Sequence, residues 1–264
     1  MNRIESRFRS LRDTGGKALI PFLTAGDPDL EATREIVLAM DEAGADVVEL
    51  GVPFSDPIAD GPVIQRATER SLAGGTTLDG ILGLVREIRR SSEIPLVLFS
   101  YYNPLLSRGL DRLANEAAEA GIDGLLASDL TVEESGAYVE AMLARGLSTV
   151  FLVAPTSSPE RIKRIAQTST GFLYAVSRTG VTGTRSALSE GLTRFLRLLR
   201  THTDSPIAVG FGISKPEQVS AVWREADGAV VGSAIVAEIE SRSGSVDLAS
   251  SVGSFVRRLR SGDS

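Results

Sequence analysis

The stretch AGADVVELG (residues 43–51) closes one element and opens another. Gly44 ends an amphipathic run, and Asp46 leads into a short apolar one. The same device recurs at AGIDG (120–124) and EADGAV (225–230). Glycine stops a helix because it adopts a left-handed conformation without a Cβ clash. The apolar run that follows is too short for an ordinary helix and too apolar for a strand with one wet face. That is the pattern of a parallel strand covered on both sides.

Further runs of this kind are ALIPFLTAG (18–26), PLVLFS (95–100), DGLLAS (123–128), STVFLV (148–153), GFLYAVS (171–177), PIAVGFG (206–212) and DGAVVGS (227–233). Helical patterns alternate with them. Ile36, Val37, Met40 and Ala43 make one apolar stripe, and Ile81, Leu84, Val85 and Ile88 make another. Ser158 is placed to cap a helix whose first residue is Pro159. Thr131 and Glu134 have capping-box spacing. Val252, Phe255, Val256 and Leu259 line one side of a C-terminal helix. Eight strand–helix units in 264 residues predict a single (β/α)8 TIM-barrel domain over 1–264, with an extra N-terminal helix. A doubly wound open sheet fits the same alternation, but no GxGxxG follows the first strand.

Composition narrows the function classes. A net charge of -6 offers no electrostatic attraction for nucleic acid or anionic membranes. With no cysteine, disulfides and thiolate metal sites are excluded, and a single histidine counts against metal-hydrolase chemistry. No apolar stretch approaches the ~20 residues of a membrane span. The expectation is a cytoplasmic protein that needs no metal.

In such barrels the chemistry sits at the C-terminal strand ends. Glu49 is the charged residue of VVELG, and Asp60 follows in the next loop, VPFSDPIADG (52–61). A buried carboxylate either pairs with an arginine or an amide, or stays neutral and transfers protons. The pattern alone leaves both open. SRTGVTGTRSALSE (177–190) reads as a lid. GFGISKPEQ (210–218) and GSAIVAEIE (232–240) each place Gly and Ser before a helix, where free amides hold phosphate without basic side chains.

ELGVPFSDPIADGPVIQ (49–65) closely resembles the signature of the tryptophan synthase α-subunit family. The likeness continues through PFLTAGDP (21–28), YYNPLL (101–106), FLVAPTSS (151–158), SRTGVTG, GFGIS (210–214) and VVGSAIV (230–236). The resemblance implies a barrel that cleaves indole-3-glycerol phosphate to indole and glyceraldehyde 3-phosphate by retro-aldol chemistry. It implies Glu49 as the acid/base and Asp60 as the partner of the indole N–H. Phe22, Phe99, Leu126 and Phe211 would wall the indole, with Tyr174 beside the site. Gly183, Gly212, Gly232 and Ser233 would hold phosphate, and Thr182 would close onto Asp60. Asp56, Pro57, Ile58, Asn103 and Pro104 would face a β subunit in an α2β2 heterotetramer. Pyridoxal phosphate is expected only on that subunit, and no cofactor here. The loop ASDLTVEE (127–134) departs from the family's PDLP-like pattern, with Ser128 and Thr131 in place of prolines. Other readings are a stand-alone indole-releasing lyase and a different phosphate-binding barrel, such as an isomerase or epimerase.

Overall fold

The structure is a computed structural model that describes residues 2–176, 189–210 and 212–261. Its strands are β1 (Ala18–Thr24), β2 (Val48–Gly51), β3 (Leu96–Ser100), β4 (Gly124–Ala127), β5 (Ser148–Thr149), β6 (Phe151–Val153), β7 (Leu173–Val176), β8 (Ile207–Gly210) and β9 (Gly228–Val231). The helices are α1 (Arg3–Thr14), α2 (Leu30–Glu42), α3 (Pro62–Ala73), α4 (Leu78–Ile88), α5 (Tyr102–Arg108), α6 (Leu110–Ala120), α7 (Gly136–Leu143), α8 (Pro159–Thr168), α9 (Glu190–Arg200), α10 (Pro216–Trp223), α11 (Ser233–Ser241) and α12 (Leu248–Ser261). The strands pair in parallel in the order β5-β4-β3-β2-β1-β9-β8-β7-β6. β5 and β6 are two parts of one strand broken at Val150, so the ladder runs β4 to β5 on one side and β6 to β7 on the other. This is an eight-stranded barrel, not the doubly wound sheet.

Side chains alternate between two cores, as the period of a strand requires. Leu19, Leu23, Val48, Leu50, Leu96 and Leu98 point outward and pack with the helices. Ile20, Val47, Val97, Leu126, Phe172 and Val230 point inward. Ile4, Phe8 and Leu11 of α1 join that inner cluster and plug the N-terminal mouth. The plug is tight: a Cβ on Gly124 would lie 2.9 Å from the Ile4 side chain.

The three aspartates that lead into strands share one hydrogen-bond pattern. The Asp46 amide donates to the Leu19 carbonyl at 2.9 Å, and the Asp46 carboxylate accepts from the Leu19 amide at 2.7 Å. Asp123 treats Leu96 likewise, at 2.9 Å and 2.9 Å, and Asp227 treats Ile207 at 2.8 Å and 3.0 Å. Each carboxylate is also held by cations. Arg7 and Arg260 bind Asp46, Arg3 and Arg89 bind Asp123, and Lys17 and Arg200 bind Asp227.

Most helix ends follow the sequence. Ser158 caps α8 by accepting from the Arg161 amide at 3.3 Å. Thr131 is a correction. No helix starts there; α7 begins at Gly136, and the Thr131 hydroxyl binds the Glu134 side chain at 3.2 Å within a turn. The spacing of a capping box met a turn closed by Glu134 N–H to Thr131 C=O, 3.1 Å, so the chain was never free to enter a helix.

Asp46 is fully buried, and its removal leaves an amide and two guanidiniums without their partner. Asp46→Ala should lower unfolding stability by about 3 kcal/mol, measured by urea denaturation.

Candidate active site

The C-terminal strand ends bring most of the expected residues together. Register sets Phe22 beside Glu49, Glu49 beside Val97, and Phe99 beside Leu126. The Phe22 and Phe99 rings meet edge-on at 5.3 Å, and Phe99 meets Tyr174 at 6.5 Å. Such edge contacts hold aromatic walls in a fixed shape. Two glycines make room for them. A Cβ on Gly51 would lie 2.7 Å from the Phe22 ring, and one on Gly210 would lie 2.3 Å from the Tyr174 hydroxyl.

Glu49 stands inside this wall, fully buried, and neither carboxyl oxygen has a partner among the described residues. Of the two options left by the sequence, the pairing one is not realised there. Loss of solvent pushes its carboxyl up to about 8. Tyr174 is raised well above a normal phenol, by burial first and by the Glu49 charge second. Asp60 is half-buried. Burial raises its pKa, while a hydrogen bond from the Tyr101 side chain acts in the opposite sense. The two carboxyls therefore sit in different surroundings, which lets them take different proton roles.

Gly232 and Ser233 begin α11, whose first turn has no side-chain cap. First-turn amides of a helix have no intrahelical partner and can accept an anion. Phe22 lies close by, 3.6 Å from where a Gly232 Cβ would be. Gly212 has φ +65°, a left-handed turn. The helix after it, α10, differs from α11. The Gln218 side chain accepts from the Ser214 and Lys215 amides at 2.8 and 3.0 Å, so these are already occupied. Thr182, Gly183 and Phe211 lie outside the described residues, as does nearly all of 177–190.

The residues assigned to a partner surface cluster on the same face. Asp56 and Asn103 are exposed, Pro57 and Pro104 half-buried, and Ile58 is 86% exposed. Pro53 and Pro104 line one cleft, and the Phe54 and Tyr101 rings stack at 5.4 Å. Tyr101 is the site residue that the sequence reading passed over. Its signal was its place directly after the end of β3. The α3 helix that follows Asp60 is tied to α11. Arg66 binds Glu240 at 2.8 and 2.7 Å, and Arg70 bridges Glu240 at 2.7 Å and Asp27 at 2.8 Å.

Another cleft, about 380 Å³, lies at the opposite face beneath α1. Its Lys17 and Arg200 both bind Asp227, and Glu5 and Asp204 offset Arg9 and Arg12, so it offers no comparable chemistry. Among the described residues no group of three or more His, Cys, Asp or Glu could hold a metal. No described helix is long and apolar enough to cross a membrane.

The family model for the tryptophan synthase alpha chain matches residues 8–259. The chain belongs to the tryptophan synthase alpha chain family. It is 53% identical to the tryptophan synthase alpha chain of Solibacter usitatus, over 99% of this chain and 98% of the relative. It is 49% identical to that of Citrifermentans bemidjiense, over the same shares. The fold matches tryptophan synthase subunit alpha from Legionella pneumophila, with TM-score 0.92, 38% identity and coverage of 98% and 97%. It also matches a chain of the tryptophan synthase complex from Pyrococcus furiosus, with TM-score 0.84, 40% identity and coverage of 92% and 97%.

In this alpha chain the Glu49 carboxyl has a consequence for stability. Its folded pKa of about 8 exceeds the unfolded value. The folded state therefore holds the proton longer, and stability falls as pH rises from about 4.5 to about 8, then levels off. Glu49→Gln should remove that slope and be more stable than the parent by about 3–5 kcal/mol at pH 8.5. Urea melts at pH 6 and 8.5 measure both effects.

Proposed function

We propose that this chain cleaves indole-3-glycerol phosphate to indole and glyceraldehyde 3-phosphate, with Glu49 as proton donor and acceptor and Asp60 at the indole N–H. The observation that carries this is the Glu49 carboxyl, buried with no partner among the described residues beside the Phe22–Phe99–Tyr174 wall. At neutral pH its raised pKa keeps it largely protonated. It can then deliver a proton to indole C3 and, once ionised, take one from the side-chain hydroxyl as the C–C bond breaks. The proton count balances, and each step uses one oxygen-bearing group. Asp60 stabilises the positive charge that develops on the indole nitrogen, by charge and by accepting its N–H. The free first turn of α11 holds the phosphate at Gly232 and Ser233, together with Gly212.

The chain works as the α subunit of tryptophan synthase in tryptophan biosynthesis, in the cytoplasm. Its partner is a β subunit that carries the pyridoxal phosphate, in an α2β2 assembly. Support comes from Ile58, an aliphatic side chain exposed on the face that also carries Asp56, Pro57, Asn103 and Pro104. The reaction as written calls for no metal or cofactor on this chain.

A steady-state assay of indole release, with and without a β subunit, tests the reading. The β subunit should raise turnover strongly; an unchanged rate points to a stand-alone lyase. Glu49→Gln should lower kcat at least about 10³-fold while binding of a non-cleavable phosphate analogue persists. In the parent, kcat should fall above pH 8 as Glu49 loses its proton. Near-normal turnover by Glu49→Gln would end the assignment.

A further inference from the structure

Asp60 stands on a loop, yet indole recognition needs its carboxylate held in one place. Asp60 and Tyr101 line the same cleft, together with Phe22 and Phe99. A hydroxyl has one proton and two lone pairs. The Ala59 amide can only donate, and it donates to the Tyr101 oxygen at 2.9 Å. The phenol's own proton is thus left to be donated to Asp60, whose pKa Tyr101 acts to lower. This direction suits a carboxylate that accepts, not a carboxylic acid that donates.

We propose that Tyr101 is a positioning residue for the lyase reaction: its hydroxyl clamps the Ala59–Asp60 turn at backbone and side chain together and keeps Asp60 an ionised acceptor facing the indole. The inference rests on the role assigned to Asp60 above. The clamp is anchored in the barrel, not in the loop it holds. Tyr101 directly follows β3, whose Ser100 is in register with Ala127. Its ring is 4% exposed and packs on Phe54 at 5.4 Å. The next residue is fixed as well, since the Tyr102 amide donates to Asp129 at 2.6 Å. Burial pushes the Tyr101 phenol up to about 12, so it remains a donor throughout the working pH range.

The ionisable groups around the pair come from several elements. Asp129, on the loop after β4, bears on Tyr101 through its charge. Asp56 shares the loop of Asp60, and Glu49 lies in β2, the strand before it. From α3, the Gln65 amide donates to the Asp60 carbonyl at 2.9 Å.

Tyr101→Phe keeps the ring and the Phe54 contact and removes the hydroxyl. It should lower kcat/KM for indole-3-glycerol phosphate by about 10–100-fold. The acid limb of its pH profile should move to higher pH, because Asp60 loses a hydrogen bond that favours its ionised form. Starting from Asp60→Asn, adding Tyr101→Phe should change the rate less than about twofold, since the two residues act as one unit. If Tyr101→Phe keeps its full factor beside Asp60→Asn, or leaves the acid limb in place, the hydroxyl does not act through Asp60 and the proposal is overturned. Near-normal turnover by Asp60→Asn alone would instead overturn the role of Asp60, and the clamp with it.

Discussion

Asp46 and Leu19 exchange two hydrogen bonds at the N-terminal mouth of the barrel, one through a backbone amide and one through a carboxylate. Three residues further along the same two strands lie Glu49 and Phe22, side by side. The same offset separates the Asp123–Leu96 pair from Leu126 and Phe99, and the Asp227–Ile207 pair from Val230 and Gly210. A strand slipped by one residue turns every side chain to the other face. A slip of β2 would take Glu49 out of the barrel and put Val48 or Leu50 in. The paired aspartates oppose this directly, because a shifted strand would leave a buried carboxylate, an amide and two cations mismatched. The register that makes a site is thus held by charges at the end of the barrel where no site is.

The two ends differ in how they treat buried polar groups. At the N-terminal mouth, Asp46 and Asp123 are buried, and each is held by an amide and two arginines. Towards the C-terminal mouth, Thr24, Glu49 and Ser100 lie in three neighbouring strands and Ser128 just after a fourth, and their buried side-chain oxygens have no partner among the described residues. An unmatched buried polar group costs about 1–3 kcal/mol. For Glu49 the consequence is a raised pKa, since burial is not offset by any hydrogen bond or charge among the described residues. The wall of Phe22, Phe99 and Tyr174 adds a low dielectric that makes each charge interaction count for more.

How much of this could be read beforehand follows from what each feature writes into the sequence. Parallel strands buried on both faces appear as unbroken apolar runs, so all eight were visible. The break at Val150 was not, because STVFLV is uniformly strand-like and only pairing divides it. Glu49 stood out as a charge in an apolar run. Whether it was paired could not be settled without knowing which side chains surround the interior. The two Gly/Ser turns looked alike, yet α10 has its amides taken by Gln218 and α11 does not. That difference depends on whether one side chain folds back, which spacing does not encode. Thr131 and Glu134 had the right spacing but the wrong backbone, a turn instead of a helix.

Tyr101 was invisible for a related reason. An aromatic residue after a strand reads as packing, and its ring does pack, on Phe54. Its hydroxyl acquires meaning only from where the loop 52–60 folds back. The chain leaves β2, passes through restricted backbone at Pro53 and Pro57, and returns so that Ala59 meets β3's end. Proline narrows the conformations of such a loop in the unfolded chain, so less entropy is lost on ordering it. It does not by itself choose the ordered form. A single hydroxyl on the rigid barrel, accepting from one residue and donating to the next, makes that choice. The loop can then present Ile58 outward on one side while Asp60 stays directed inward on the other.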